Sequence, residues 1–248
     1  MAITISKFAD QARSYYDDSK VKERSAVSYE SPAKGYSTVY KWSLISSQEG
    51  GLVEPHVHKG FEILTYVVSG SVDQEESEGG DWATLKAGDV SVLRSGNGLT
   101  HSDRYAAETQ IFQIWLDPDF RRSLQRPSVF ATYEAEDFQT IEFNGMKRID
   151  FCDDESPMYT ATRVQLDRFD FEAGEYTLDI EDKYIASFVV ISGEVSVEEH
   201  DLVAGDYCQI DGASSFTFKA GTAGAIMLLN TPQEAGYRTY TDQLQVSS

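Results

Sequence analysis

The sequence predicts an all-β protein made of two similar halves, and three observations carry that prediction. Runs rich in β-branched and aromatic residues recur along its 248 residues: STVYKWSLISS (37–47), EILTYVVSGSVDQEES (62–77), TQIFQIWLD (109–117), ASFVVISGEVSVEEH (186–200) and GAIMLLNT (224–231). Glycine-marked turns separate them. A β unit also repeats: Gly70-Ser71-Val72 with Ala87-Gly88-Asp89, then Gly193-Glu194-Val195 with Ala204-Gly205-Asp206, each after a strand-forming run, TYVVS or FVVIS.

Taken in order, the N-terminal residues MAITISKFADQARSYYDD lack a basic start followed by an apolar stretch, so no secretory leader is expected and the cytoplasm is the default compartment. Gly79-Gly80-Asp81, after the acidic run EESE, reads as an exposed hairpin tip. Asp117-Pro118, opening DPDFRRSLQR, reads as a short helix start with Asp117 as cap and the proline at the first helical position. That segment, continuing through RPSVFATYEAEDF, is the expected connector between a first unit at residues 1–125 and a second at 126–248.

Composition narrows the function classes. With 21 basic and 41 acidic side chains the formal charge is −20, which opposes direct contact with a nucleic-acid backbone or an anionic membrane. No apolar run is long enough to span a bilayer. Cys152 and Cys208 stand alone, as buried thiols rather than a disulfide or zinc framework. No GxSxG, GxxxxGK[ST] or HExxH motif is present.

The chemistry concentrates in EPHVHKGFEILTYVVSG (54–70) and SGNGLTHSDRY (95–105). Side chains alternate faces along a strand, so His56, His58 and Glu62 share a side if the segment stays extended, as do His101 and Asp103. Two such pairs on neighbouring strands bring three imidazoles and a carboxylate together. That donor set suits a borderline divalent metal such as iron, manganese, nickel, copper or zinc with positions left open. A strand histidine is more often packed or solvated than a ligand, and His200 fits that description. For Glu62 three readings stay open: a ligand, a partner orienting an imidazole, or a core carboxylate paired elsewhere.

These residues carry a family resemblance. HVHKGFEILTY (56–66), GNGLTHSD (96–103) and Gln113-Ile114-Trp115 resemble the pirin family of the cupin superfamily. The resemblance implies a bicupin, two cupin-type β-barrels with one metal, usually iron, in the N-terminal barrel, held by His56, His58, His101 and Asp103. Here the triplet is HSD where the family has HSE, so the carboxylate is one methylene shorter and Glu62 stands in reserve. The region before residue 50 also departs from the family, and whether it covers the site or packs outside it stays open.

The resemblance further implies an oxygen-dependent oxidoreductase of quercetin 2,3-dioxygenase type, taking dioxygen and a flavonol or other enolic small molecule, with Asp103 as ligand or base. The alternative it implies is a metal-dependent regulatory protein that a protein partner reads. Aligning the halves puts Asp179, Glu181 and Phe218 where His56, His58 and His101 stand, so no metal is expected in the second barrel.

Overall fold

The computed structural model describes residues 1–76, 80–152 and 156–242; the expected hairpin tip lies partly outside them. The first half contributes β1 (Ala2–Ser6), β2 (Ala12–Tyr16), β3 (Val21–Val27), β4 (Val39–His58), β5 (Glu62–Ser69), β6 (Ser71–Glu76), β7 (Trp82–Lys86), β8 (Val90–Arg94) and β9 (Leu99–Leu116). A single helical turn, α1 (Phe120–Ser123), and β10 (Val129–Tyr133) follow. The second half runs through β11 (Thr140–Phe143), β12 (Met146–Cys152), β13 (Gln165–Phe171), β14 (Gly174–Asp179), β15 (Tyr184–Ser192) and β16 (Glu194–Val197). It closes with β17 (His200–Val203), β18 (Tyr207–Asp211), β19 (Ser215–Ala220) and β20 (Gly224–Pro232). No helix among the described residues is long and apolar enough to cross a membrane.

Two β-barrels result. In the first, β4 and β9 pair antiparallel along nearly their whole length, from Val39 opposite Leu116 to His58 opposite Leu99. The far half of β9 pairs with β5 and its near half with β6, so one pair of long strands serves both walls. The second barrel achieves the same with two sheets, β1-β18-β15-β20-β13-β12-β11 and β14-β19-β16-β17. Its interior is filled by rings, with Phe188 stacked on Phe216 and Phe171 against Phe218. Phe218, the counterpart of His101, is thus a packing residue. The first barrel holds a smaller apolar cluster of Val21, Ile45, Val67, Val72, Leu85, Tyr105 and Ile111. A third cluster joins the barrels, with Trp42 packed edge-on against Phe112 of its own half and Tyr207 of the other.

The repeated AGD turns show why the halves are alike. Gly88 N–H donates to Val67 O at 2.8 Å and Val67 N–H to Asp89 O at 3.1 Å; Gly205, Val190 and Asp206 repeat the pattern at 2.8 and 3.0 Å. Both glycines need a positive φ, +96° and +87°, which a side chain adopts only with strain. Each aspartate then closes its own turn, Asp89 on Lys86 N–H and Asp206 on Val203 N–H. Its second oxygen accepts from the crossing chain: Ala135 N–H on Asp89 at 3.0 Å, and Phe8 N–H on Asp206 at 2.8 Å.

The strands beside those contacts exchange in the same way. β1 pairs with β18 of the second barrel, while β10 pairs with β8 of the first. Strand pairing therefore crosses a division at 125/126 in both directions. The rest of the N-terminal region is sheet as well, β2 on β3 and β3 on residues 42–47 of β4, away from the HxH end of that strand.

The helix start differs from the expectation. Asp119, not Asp117, is the cap, its carboxylate accepting from Arg121 N–H at 3.1 Å. Asp117 is fully buried and instead accepts from Thr241 N–H at 3.0 Å, anchoring the C-terminal segment. Nothing local distinguishes the two aspartates; the returning segment claims one of them. Both cysteines are buried, and burial raises their thiols to about 11 for Cys152 and about 12 for Cys208.

Two stability measurements follow from these anchors. Asp206→Ala removes the acceptor of Phe8 N–H and Val203 N–H and the ion pair of Lys7, and is expected to cost about 2–4 kcal/mol in urea unfolding. Asp89→Ala should cost less, because Asp89 is only partly buried. Burial raises Asp117 from the usual 3.8 to about 6 despite the N–H groups of Thr241 and Tyr240. Its folded-state pKa lies above the unfolded one, so its stabilising contribution is complete below the unfolded value and fades as pH rises through about 6. A loss on the order of 2–3 kcal/mol between pH 4 and pH 7 is expected from this group, and Asp117→Asn should flatten that part of the profile.

Candidate metal centre

The HxH pair ends β4, and a bulge aims it. The register of β4 on β9 shifts between Val53, opposite Asp103, and His56, opposite His101. One extra residue at Glu54-Pro55 thereby puts His56 rather than Pro55 against His101. His56 and His58 then share a face by alternation, as do His101 and Asp103. The ring centroids lie 4.5 Å apart for His56 and His58, and 5.6 Å from His101 to each of them.

Asp103 sits at the buried base of this group. His101 Nε2 is 3.0 Å from Asp103 Oδ1, and the same oxygen accepts from Gln74 Nε2 at 2.8 Å. Gln74 in turn accepts from the Ser91 hydroxyl, so a chain of polar contacts fixes the carboxylate from behind. His58, His101 and Asp103 are buried while His56 is half-exposed, which places the group at the barrel mouth.

Electrostatics treats the two buried rings oppositely, beside a carboxylate that is held ionised. Burial, reinforced by the neighbouring His56 and His101, lowers His58 to about 3. Burial also works against a charged His101, but Asp103 outweighs it and raises the ring above the usual range. Burial pushes Asp103 upward, and the His101 ring and the Gln74 amide overcome it, holding the carboxyl below its usual value.

Glu62 stands apart. The chain leaves the strand at 59–61, where Gly60 takes φ +87°, so the count of two per face does not carry across to Glu62. Its carboxylate accepts from Ala161 N–H at 2.9 Å and faces Arg94 Nε at 3.4 Å. Burial raises its pKa, with Ala161 and Arg94 pulling the other way.

The donor chemistry fits a divalent cation, with three imidazoles and one ionised carboxylate. The His101–Asp103 separation is close to the ~3 Å between adjacent ligands of an octahedral ion bound at about 2.1 Å. Among the described residues, however, no three His, Cys, Asp or Glu are set as they stand to hold a metal. His56 Nδ1 is hydrogen-bonded to Glu54 O at 2.8 Å, and His101 Nε2 lies against Asp103.

Sequence reasoning missed two parts of the site. Gln74 gave only the signal of an amide at an inward position of SVDQEE. The other part is an aromatic wall. Trp115 packs edge-on to His58 at 4.9 Å, Phe61 lies 5.5 Å from Trp115, and Tyr40 is 4.7 Å from Phe61. Tyr240, from the C-terminal segment, completes it at 5.8 Å from Phe61, a contact that no local pattern announces.

Residues 20–116, which span β3 to β9 and all four expected ligands, match the family model Pirin. That match falls on the first barrel, and the chain resembles the pirin family there. The chain is 42% identical over 67 residues to a pirin-like protein of Caulobacter vibrioides, covering 26% of this chain and 28% of that protein. It is 36% identical over 90 residues to the quercetin 2,3-dioxygenase of Escherichia coli K12, covering 35% of this chain and 36% of that one. The chain thus matches well under half the length of these relatives. The whole fold superposes on the bacterial pirin YhhW of Escherichia coli in complex with nickel(II), with a TM-score of 0.77 at 17% identity over 93% of this chain and 99% of that one. A variant of the oxalate decarboxylase OxdC of Bacillus subtilis gives 0.67 at 13% identity over 94% of this chain and 77% of that one. The fold is accordingly one that proteins with differently named activities share.

Gln74→Leu is expected to leave Asp103 and Ser91 short of a partner in a buried site, lowering unfolding free energy by about 1–3 kcal/mol in a denaturant titration.

Proposed function

We propose that this protein is an oxygen-dependent oxidoreductase whose single divalent metal is held by His56, His58, His101 and Asp103. The substrate class is a flavonol or another flat enolic molecule, with dioxygen as co-substrate. The observation that carries the reading is the convergence of three imidazoles and a buried carboxylate beside an aromatic wall. The relative named quercetin 2,3-dioxygenase supports the same substrate class. Iron is the foremost candidate metal, with manganese, nickel, copper or zinc as alternatives. A bound metal would act as a Lewis acid, favouring the ionised enol and leaving positions for small ligands.

The chain's own residues divide the remaining work. Asp103, held ionised by His101 and Gln74, suits the role of charged ligand better than that of base, because a carboxyl with a lowered pKa accepts protons poorly. His58, neutral at working pH, offers a lone pair without first losing a proton. Trp115 and Phe61, both partly buried, give the site an apolar aromatic side suited to a planar ring system, and the half-exposed His56 marks the open side.

Two measurements test this. Iron-loaded protein is expected to consume dioxygen when given quercetin, and His101→Ala should lose both metal and oxygen uptake; full metal content with no uptake across a panel of enols would overturn the reading. Elemental analysis should find Asp103→Ala at least about tenfold depleted in metal affinity and Glu62→Gln unchanged. The reverse order would move the carboxylate ligand to Glu62.

A further inference from the structure

We propose that the cleft between the two barrels binds a small organic anion bearing a carboxylate or phosphate group, at a place separate from the histidine cluster. The cleft encloses about 630 Å³, ample for a drug-sized molecule, and none of His56, His58, His101 or Asp103 lines it. Four guanidinium groups do: Arg94, Arg122, Arg126 and Arg163. The protein has 11 arginines and a formal charge of −20, so four around one cavity is a local reversal of its field. Against them stand two lining carboxylates, Glu62 and Asp119.

The two carboxylates offset half of this charge. Glu62 is buried, accepts from Ala161 N–H with both oxygens and faces Arg94 Nε at 3.4 Å, while the Arg94 guanidinium also donates to Tyr159 O. Asp119 caps α1 and pairs with Arg122 at 3.5 Å. Arg126 and Arg163 form no ion pair among the described residues, although Arg126 is close enough to act on the Glu62 carboxyl. Two positive charges are thus left uncompensated at the cavity, on Arg126 and Arg163, and a carboxylate or phosphate accepting their N–H donors would offset them.

Two further features suit an organic anion rather than a bare ion. Arg94 lies over the Tyr159 ring at 5.4 Å, and Tyr237 lines the same cavity, so the charged floor has aromatic sides. Arg163 is also held at φ +56°, in the left-handed region, two residues after the amide that binds Glu62. A bulky side chain kept there at a conformational cost points to a use for its position.

The test is titration calorimetry of the full-length protein with phenyl phosphate and with benzoate, probes that do not compete for a chelated metal. Saturable binding of at least one is expected, and the probe that binds tells phosphate from carboxylate. The double variant Arg126→Gln, Arg163→Gln should bind about tenfold or more weakly, whereas Arg121→Gln, outside the cleft, should match the parent. Arg163→Gly supplies a readout that a purely structural role would not give: weaker binding with no fall in Tm. His101→Ala should bind as the parent does. The proposal is overturned by no saturable binding of either probe, by unchanged affinity in the double variant, or by loss of binding in His101→Ala. Absence of metal or oxygen uptake would bear on the histidine cluster alone and leave these outcomes intact.

Discussion

The antiparallel ladder between β4 and β9 is the constraint on which the first barrel and its site depend. It runs from Val39 opposite Leu116 to His58 opposite Leu99. Its upper part builds the wall that meets the second barrel, where Trp42, backed by Phe112, packs on Tyr207. Its lower part carries the histidines. Because side chains alternate, the register alone decides which residues share the barrel mouth, and one bulge at Glu54-Pro55 sets that register for His56. A slip by one residue would replace an imidazole by Pro55 or Val57.

The two barrels are tied by exchange rather than by contact alone. Each AGD turn closes itself and holds an amide of the chain from the other half, through Asp89 and Asp206. β1 and β10 repeat this at the level of strands. Neither half has a complete hydrogen-bond ladder without the other, so the cleft that opens between them is held by both. Its cationic lining and the acidic exterior are then two faces of one charge distribution, with arginines gathered where carboxylates are already committed to backbone amides.

Much of this was legible in the chain. Strand runs, glycine turns and the AGD repeat determined an all-β pair of units, because period-two patterning and positive-φ glycines are local requirements. The HxH and HxD spacings determined that His56 pairs with His58 and His101 with Asp103, since neighbours two apart on a strand share a face wherever that strand lies. The same rule failed for Glu62 because Gly60 breaks the strand between them, and the helix cap moved to Asp119 because Thr241 takes Asp117.

What the tertiary structure alone decided involves partners distant in sequence. Gln74 behind Asp103, Tyr240 beside Phe61, Ala161 on Glu62 and the convergence of Arg94, Arg126 and Arg163 each join residues separated by many turns. Local propensity acts over a few residues and cannot encode such meetings. They arise when strand exchange and inter-barrel packing bring separate segments together, and the physical cause is the burial of Trp42, Tyr207 and their neighbours rather than any motif in the chain.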